Sequence, residues 1–485
     1  MIELQTINRL HSIYSIFNEN FLWTYAIIFN KSFSFRVLGG KNIMEIGPNA
    51  LIDAPSLLGL LPLLIYIVLI FMNQSNLLAT MIGIVVGAVL LGHDLGMLAE
   101  DFAASLGSFV AMIGFIIMLG AALGKLMNES GITETLVYWI VSGLKVDSQN
   151  KGRIALMIIS IIICGLLGTL GGGNAIIAPI VIPVLANIGL TPTTTALILK
   201  NAGEVGLFWG PLTGVTLATL ELTNMSYGQF MLVAGLPFGL IWLFGTWIAS
   251  IYVQKRTEGS EQYDLTQTVD FENFIVESKE RNATIAFIIS FLALVIFGVV
   301  TEQGTSYAII VMILLMVIVS VFGRIHPKIA EEKIVEGVAS MTDLFLIFIT
   351  IDVLLEMVTA AGGFEALSQL LQSTFTNISA AAVMLISSVV GGLGIEAAAV
   401  AELQIITDMF MPMIESSGLP LQMFAISLLS ATRLTGSIYP TSNMIGQMGI
   451  AHSSNTKLML QGNWISILPV ILFVIIWAFV GINFF

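Results

Sequence analysis

Of the 18 lysines and arginines in the chain, only Lys200 and Arg433 fall inside long apolar stretches. Arg433 stands in "SATRLTGSIYPTSNMIG" (430–446), among Thr432, Thr435, Ser437, Thr441, Ser442 and Asn443. It lies about thirteen residues into its stretch, too deep to snorkel easily to the surface. A guanidinium among hydroxyls and an amide suits a carboxylate, which takes a forked cation plus neutral donors. The plainer reading is an ion pair with Glu204 or Glu396 that holds two parts of the chain together. Lys200 stands in "LILKNAGEVGLFWGPLTG" (197–214), where Lys200, Asn201 and Glu204 share one helix face. There the plainer reading is a self-neutralising i,i+4 pair, with Lys200 snorkelling to a nearby surface. Gly210-Pro211 then breaks the helix and frees carbonyls that suit a cation.

Two further segments carry chemistry at a break. "GTLGGGNAIIAP" (168–179) places Gly172, Gly173 and Asn174 where a returning helix begins, and its N–H groups and positive dipole end suit an anion. The plainer reading of these glycines is tight helix packing. "GGLGIEAAAVAE" (391–402) holds Glu396 and Glu402 near a second turn. A carboxylate at such depth must be paired, hydrated or protonated, so Glu396 is a candidate for a coupling proton or sodium ion. Asp352 and Glu356, an i,i+4 carboxylate pair, are a second coupling candidate, and Glu204 and Lys200 a third. His11, His93, His326 and His452 show no metal-ligand spacing, and Cys164 reads as a small buried hydrophobe. No metal site, organic cofactor or nucleophile–base set is expected, and hence no enzyme.

The elements that must position these residues are membrane helices. Of 485 residues 10 % are charged and 56 % hydrophobic, and the mean hydropathy is +0.95. This excludes a soluble enzyme, a nucleic-acid-binding protein and a secreted disulfide module, and predicts an all-α polytopic protein of the plasma or bacterial inner membrane. The net charge of −13 says little about partners, because most charge sits in a few loops. Apolar runs near 56–72, 76–92 and 106–124 precede a glycine-broken hairpin at 154–190, an interrupted span at 193–220 and a closing span at 229–253. The order then restarts with spans at 283–301, 305–323 and 340–361, a hairpin at 379–418, an interrupted span at 420–451 and a last span at 464–484. The organisation read from this is an extension (1–50), a first repeat (51–253), a hydrophilic linker (254–282) and a second repeat (283–485). That makes about ten transmembrane helices plus two re-entrant hairpins.

Local likeness supports the repeat. "IGLTP" (188–192) answers "SGLP" (417–420), and 22 residues separate Gly189 from Pro211 and Gly418 from Pro440. In that register Glu204 falls opposite Arg433. Basic residues cluster between the third and fourth spans, in the linker, and after residue 323, whereas 93–105, 221–228, 302–304 and 362–378 hold none. Placing every basic segment in the cytoplasm inverts one half relative to the other, the mark of a secondary transporter. Hairpin arms of about 16 residues reach roughly 24 Å, short of a hydrocarbon core about 30 Å thick, which argues for re-entrance. Residues 1–43, with four basic residues on the side assigned outside, do not fit, and Met44 reads as a candidate natural start.

At these motifs the chain resembles the ion transporter superfamily, and within it the gluconate permease and citrate carrier type. "GTLGGGNAIIAPIVIPVLANIGLTP" is similar to its first hairpin, and "ATRLTGSIYPTSNMIGQMG" stands at the place of its second discontinuous helix. The resemblance implies a scaffold and a mobile elevator-type transport domain, usually in a homodimer. It implies binding positions at Gly172, Gly173 and Asn174, at Gly394, Ile395 and Glu396, and at the breaks around Thr213 and Thr441-Ser442-Asn443. The chain lacks the paired Ser-Asn-Thr tips of the dicarboxylate carriers, so their sodium dependence does not carry over. The expectation is uptake of a small carboxylate or sugar acid, coupled to protons in preference to sodium. A cation/proton antiporter and the membrane subunit of a multi-component uptake system are the alternatives.

Overall fold

The computed structural model describes residues 44–72, 74–263, 276–374, 378–390 and 399–484. Within them every regular element is helical, and no strand occurs among the described residues. In the first half these are α1 (Leu61–Phe71), α2 (Asn76–Leu91), α3 (Leu95–Ser105), α4 (Phe109–Glu129), α5 (Ile132–Leu144), α6 (Gln149–Leu167), α7 (Leu170–Asn187), α8 (Pro192–Trp209), α9 (Gly214–Thr223) and α10 (Tyr227–Thr257). The second half runs α11 (Ser278–Val300), α12 (Tyr307–Phe322), α13 (Pro327–Ala339), α14 (Thr342–Ala360), α15 (Gly363–Thr374), α16 (Ala380–Val390), α17 (Ala399–Ser417), α18 (Leu421–Leu434), α19 (Ser442–Ile450) and α20 (Thr456–Val480). Each half sets out two apolar helices, a short helix, a long one, another short one, a hairpin pair, a broken span and a long closing helix.

Local chemistry sets the ends. Ser75 and Ser108 accept from the third residue beyond them at the starts of α2 and α4, and Asp94 accepts from Gly96 and Met97 N–H at the start of α3. Gly92 and Gly168, both in the left-handed region, close α2 and α6. Among the described residues six helices are long and apolar enough to cross a membrane, or eight if each of two bent pairs is one span, with shorter apolar helices beside them. The chain is thus an all-helical, multi-pass integral membrane protein, as its composition led us to expect.

Two expectations shift. The first hairpin's arms hold 19 and 18 residues, not about 16, because α6 already starts at Gln149 in the polar loop. At 1.5 Å per residue they reach about 27–29 Å, so arm length no longer argues for re-entrance. Second, α3, α5, α13 and α15 occupy segments read as connections. They are short and part polar, and α13 lies along α4, where Lys125 Nζ and Glu336 Oε1 meet at 2.5 Å.

The interior is organised round α8 and α18. Nearly every residue of α8, and each from Met423 to Leu434 of α18, is buried. The halves interlock there. The returning arm α7 packs on α19, and the returning arm α17 packs on α9. Trp242 of α10 and Phe208 of α8 stack at 6.5 Å, with Phe238 edge-on to both.

Candidate functional site

The first break follows α8. Gly210 leaves the helix in an extended conformation, Pro211 supplies no N–H, and Thr213 restarts the chain as N-cap of α9, at 46° to α8. The carbonyls freed there have hydroxyl partners. Thr213 Oγ1 lies against Leu207 and Gly210 O, and Tyr227 Oη donates to Trp209 O at 2.6 Å. The second break runs from Leu434 through a 3-10 turn at Thr435–Ser437 to Pro440, and Thr441 caps α19 by accepting from Met444 N–H at 3.2 Å.

Charge links the two breaks. Arg433 Nη1 donates to Glu204 Oε2, and Arg433 Nε to Thr432 Oγ1 at 3.2 Å. Both members of the ion pair are 4 % exposed. Lys200 is fully buried and does not snorkel. Its Nζ donates to Ser437 Oγ at 2.6 Å and stands 5.4 Å from the centre of the Trp242 ring. It turns inward because α10 and the second break enclose its turn of α8. Glu204 pairs with Arg433, the plainer of the two readings of Arg433.

Asn174 does not begin the returning arm. Leu170 does, and Asn174 lies fully buried in the second turn of α7. Its Nδ2 donates to Leu199 O at 2.8 Å and to Gln447 Oε1 at 2.7 Å, while its Oδ1 accepts from Ser160 Oγ at 2.8 Å. Asn174 is therefore a hub joining α6, α7, α8 and α19. Gly172 and Gly173 form the first turns of α7, where the N-cap Thr169 makes no side-chain cap and an added Cβ at Gly171 would meet nothing within 4 Å. Asn201 turns to α20, donating to Ser466 Oγ at 3.1 Å. Ser442 is exposed and Asn443 half-buried at the start of α19. The Thr435 side chain, Gly394, Ile395 and Glu396 lie outside the described residues.

Asp352 and Glu356 are half-buried on α14, which packs on α2, α3 and α4, and Asp352 lies beside the Ser105 and Ser108 hydroxyls. Among the described residues no three His, Cys, Asp or Glu gather as a metal site needs. Gln447 and Trp242 were missed. An amide four residues past Asn443 on the same helix face was the available signal for Gln447.

Residues 194–482, more than half of the chain, match the model of the family described as tripartite ATP-independent periplasmic transporter, DctM component. Residues 49–254 match that of the Na+/H+ antiporter family. An uncharacterized membrane protein of Vibrio parahaemolyticus, VP2115, is 25 % identical over 177 residues, which is 31 % of this chain and 39 % of that protein. The match thus spans about two-fifths of that relative's length. The YdaH transporter of Alcanivorax borkumensis superposes with a TM-score of 0.59 at 14 % identity, covering 80 % of this chain and 90 % of that one. Neisseria gonorrhoeae MtrF, described as illuminating a class of antimetabolite efflux pumps, gives 0.57 at 12 %, covering 81 % and 85 %. At these identities the likeness is one of fold. With its model matching more than half of the chain, the family is shown: the chain belongs to the family described as tripartite ATP-independent periplasmic transporter, DctM component.

Proposed function

We propose that the protein is a secondary transporter that takes up a small organic anion, a carboxylate or sugar acid, and binds it where the two broken helices cross. The observation that carries this reading is the meeting of a buried guanidinium and a buried ammonium, Arg433 and Lys200, with the hydroxyls of Thr432 and Ser437. Cations so deep in a membrane protein mark a ligand pathway more often than a packing accident. The first turn of α7, without a side-chain cap, supports the reading with N–H groups suited to a second oxygen cluster. The resemblance to gluconate permeases and citrate carriers points to the same substrate class. The driving ion is a proton in preference to sodium, the halves are inverted repeats moving as scaffold and elevator, and the working form is a homodimer.

Labelled gluconate and succinate, taken up by proteoliposomes under an imposed pH gradient, test this. Uptake is expected in the wild type and is lost in Arg433→Ala. Absent uptake, or uptake indifferent to Arg433→Ala, overturns it. Two other readings have their own support. The tripartite name of the family favours a membrane subunit working with further polypeptides, in which case uptake appears only when these are added. The antiporter match over residues 49–254 favours cation/proton exchange, whose mark is sodium-driven proton flux with no organic substrate.

A further inference from the structure

We propose that Glu204 is an exchangeable counter-ion: it yields Arg433 to the carboxylate of the transported anion and takes up one proton as it does so. This rests on the anion reading above and says how that site is coupled. Glu204 Oε2 holds Nη1 of the same guanidinium that the substrate is to use, and both side chains are buried. The groups facing Glu204 can be named. They are Arg433 from α18, Lys200 one turn earlier on α8, and the Cys164 thiol from α6. Cys164 is engaged by Asn174 Oδ1 at 3.4 Å. Glu204 is thus the carboxylate that an anion taking Arg433 Nη1 must displace.

Physics then limits the outcomes. Two ionised carboxylates on one buried guanidinium repel each other, and a carboxylate stripped of its partner inside the protein is not held as a bare charge. A proton resolves both conflicts. It arrives from the aqueous side on which the anion enters, bonds to a Glu204 carboxylate oxygen as the Arg433–Glu204 contact breaks, and is released when the anion leaves and Glu204 returns. One carboxylate and one proton cross together. A monoanion therefore moves without net charge, and a dianion carries one negative charge per cycle.

Binding of gluconate to the full-length protein in nanodiscs, measured from about pH 6 to about pH 8, tests this, because one linked proton makes affinity fall about tenfold per pH unit. Wild type is expected to follow that slope, and Glu204→Gln to bind with an affinity independent of pH. An indicator dye in weak buffer should count one proton taken up per gluconate bound, and this wild-type count decides the matter if the variant does not fold. Gluconate bound with no proton uptake, or an unchanged slope in Glu204→Gln, overturns the exchange alone. A wild type that binds neither gluconate nor succinate at any pH overturns the anion reading and the exchange with it.

Discussion

The two breaks are alike in sequence and opposite in surroundings. Each follows a buried helix that carries a charged residue, contains a proline, and restarts at a threonine N-cap. The first is sealed: Leu212 and Thr213 are buried and its carbonyls lie against hydroxyls. The second is more exposed, with Ile438 48 % and Tyr439 36 % exposed beyond the buried Ser437, though the Ile438 carbonyl accepts from Trp464 Nε1 at 2.8 Å. The helices before the breaks are knit by an ion pair, so the same chemistry yields one buried break and one exposed break. This teaches that a break in a membrane helix does not by itself make a binding site; protein donors take freed carbonyls at both, and what differs is the exposure of the chain around them.

Several substitutions would sharpen or break this contrast. The largest effect is expected at the link itself. Arg433→Ala leaves Glu204 buried without its cation and should cost about 3–5 kcal/mol, read as a lowered thermal midpoint in detergent. Adding Glu204→Leu should return most of that loss, and a double variant no better than the single would show that the pair is not the link. Next comes the hub. Asn174→Ala takes its donor from the buried Gln447 Oε1 and should cost about 1–3 kcal/mol.

The glycines should separate the two breaks more cleanly. A methyl at Gly206 would meet Ile161 O at 2.4 Å, whereas one at Gly446 in α19 meets nothing within 4 Å. Gly206→Ala should lose about 1–3 kcal/mol, and Gly446→Ala should be neutral or gain up to about 1 kcal/mol. The smallest test compares caps by chemical denaturation. Thr213→Val should cost about 1–2 kcal/mol and Thr441→Val about half as much, because only Thr213 also lies against break carbonyls. Equal costs would mean that the first break is no better sealed than the second.

The order of elements was legible because membrane helices announce themselves by apolar length and breaks by Gly and Pro. The matched spacing of Gly189–Pro211 and Gly418–Pro440 even aligned Glu204 with Arg433, and the two prove to be partners. What was illegible depends on contacts between halves. On its own helix Lys200 has Glu204 at i,i+4, yet Ser437 and Trp242, which it also meets, come from elsewhere in the chain. The protein partner of Asn174, Gln447, lies 273 residues away, beyond the reach of any local motif. The short helices α3, α5, α13 and α15 were missed because they are too short and mixed to signal a span.

The contact between α6 and α8 carries a mechanical consequence. At Gly165, Gly206 and Gly210 the two backbones come so close that an added methyl would meet main-chain atoms at 2.3–3.0 Å. No side chains lie between them there to re-pack, so the seam offers no smooth path for one helix to creep along the other. A displacement of α6 would therefore carry α8, and Glu204 with it, as a rigid lever and not by slip.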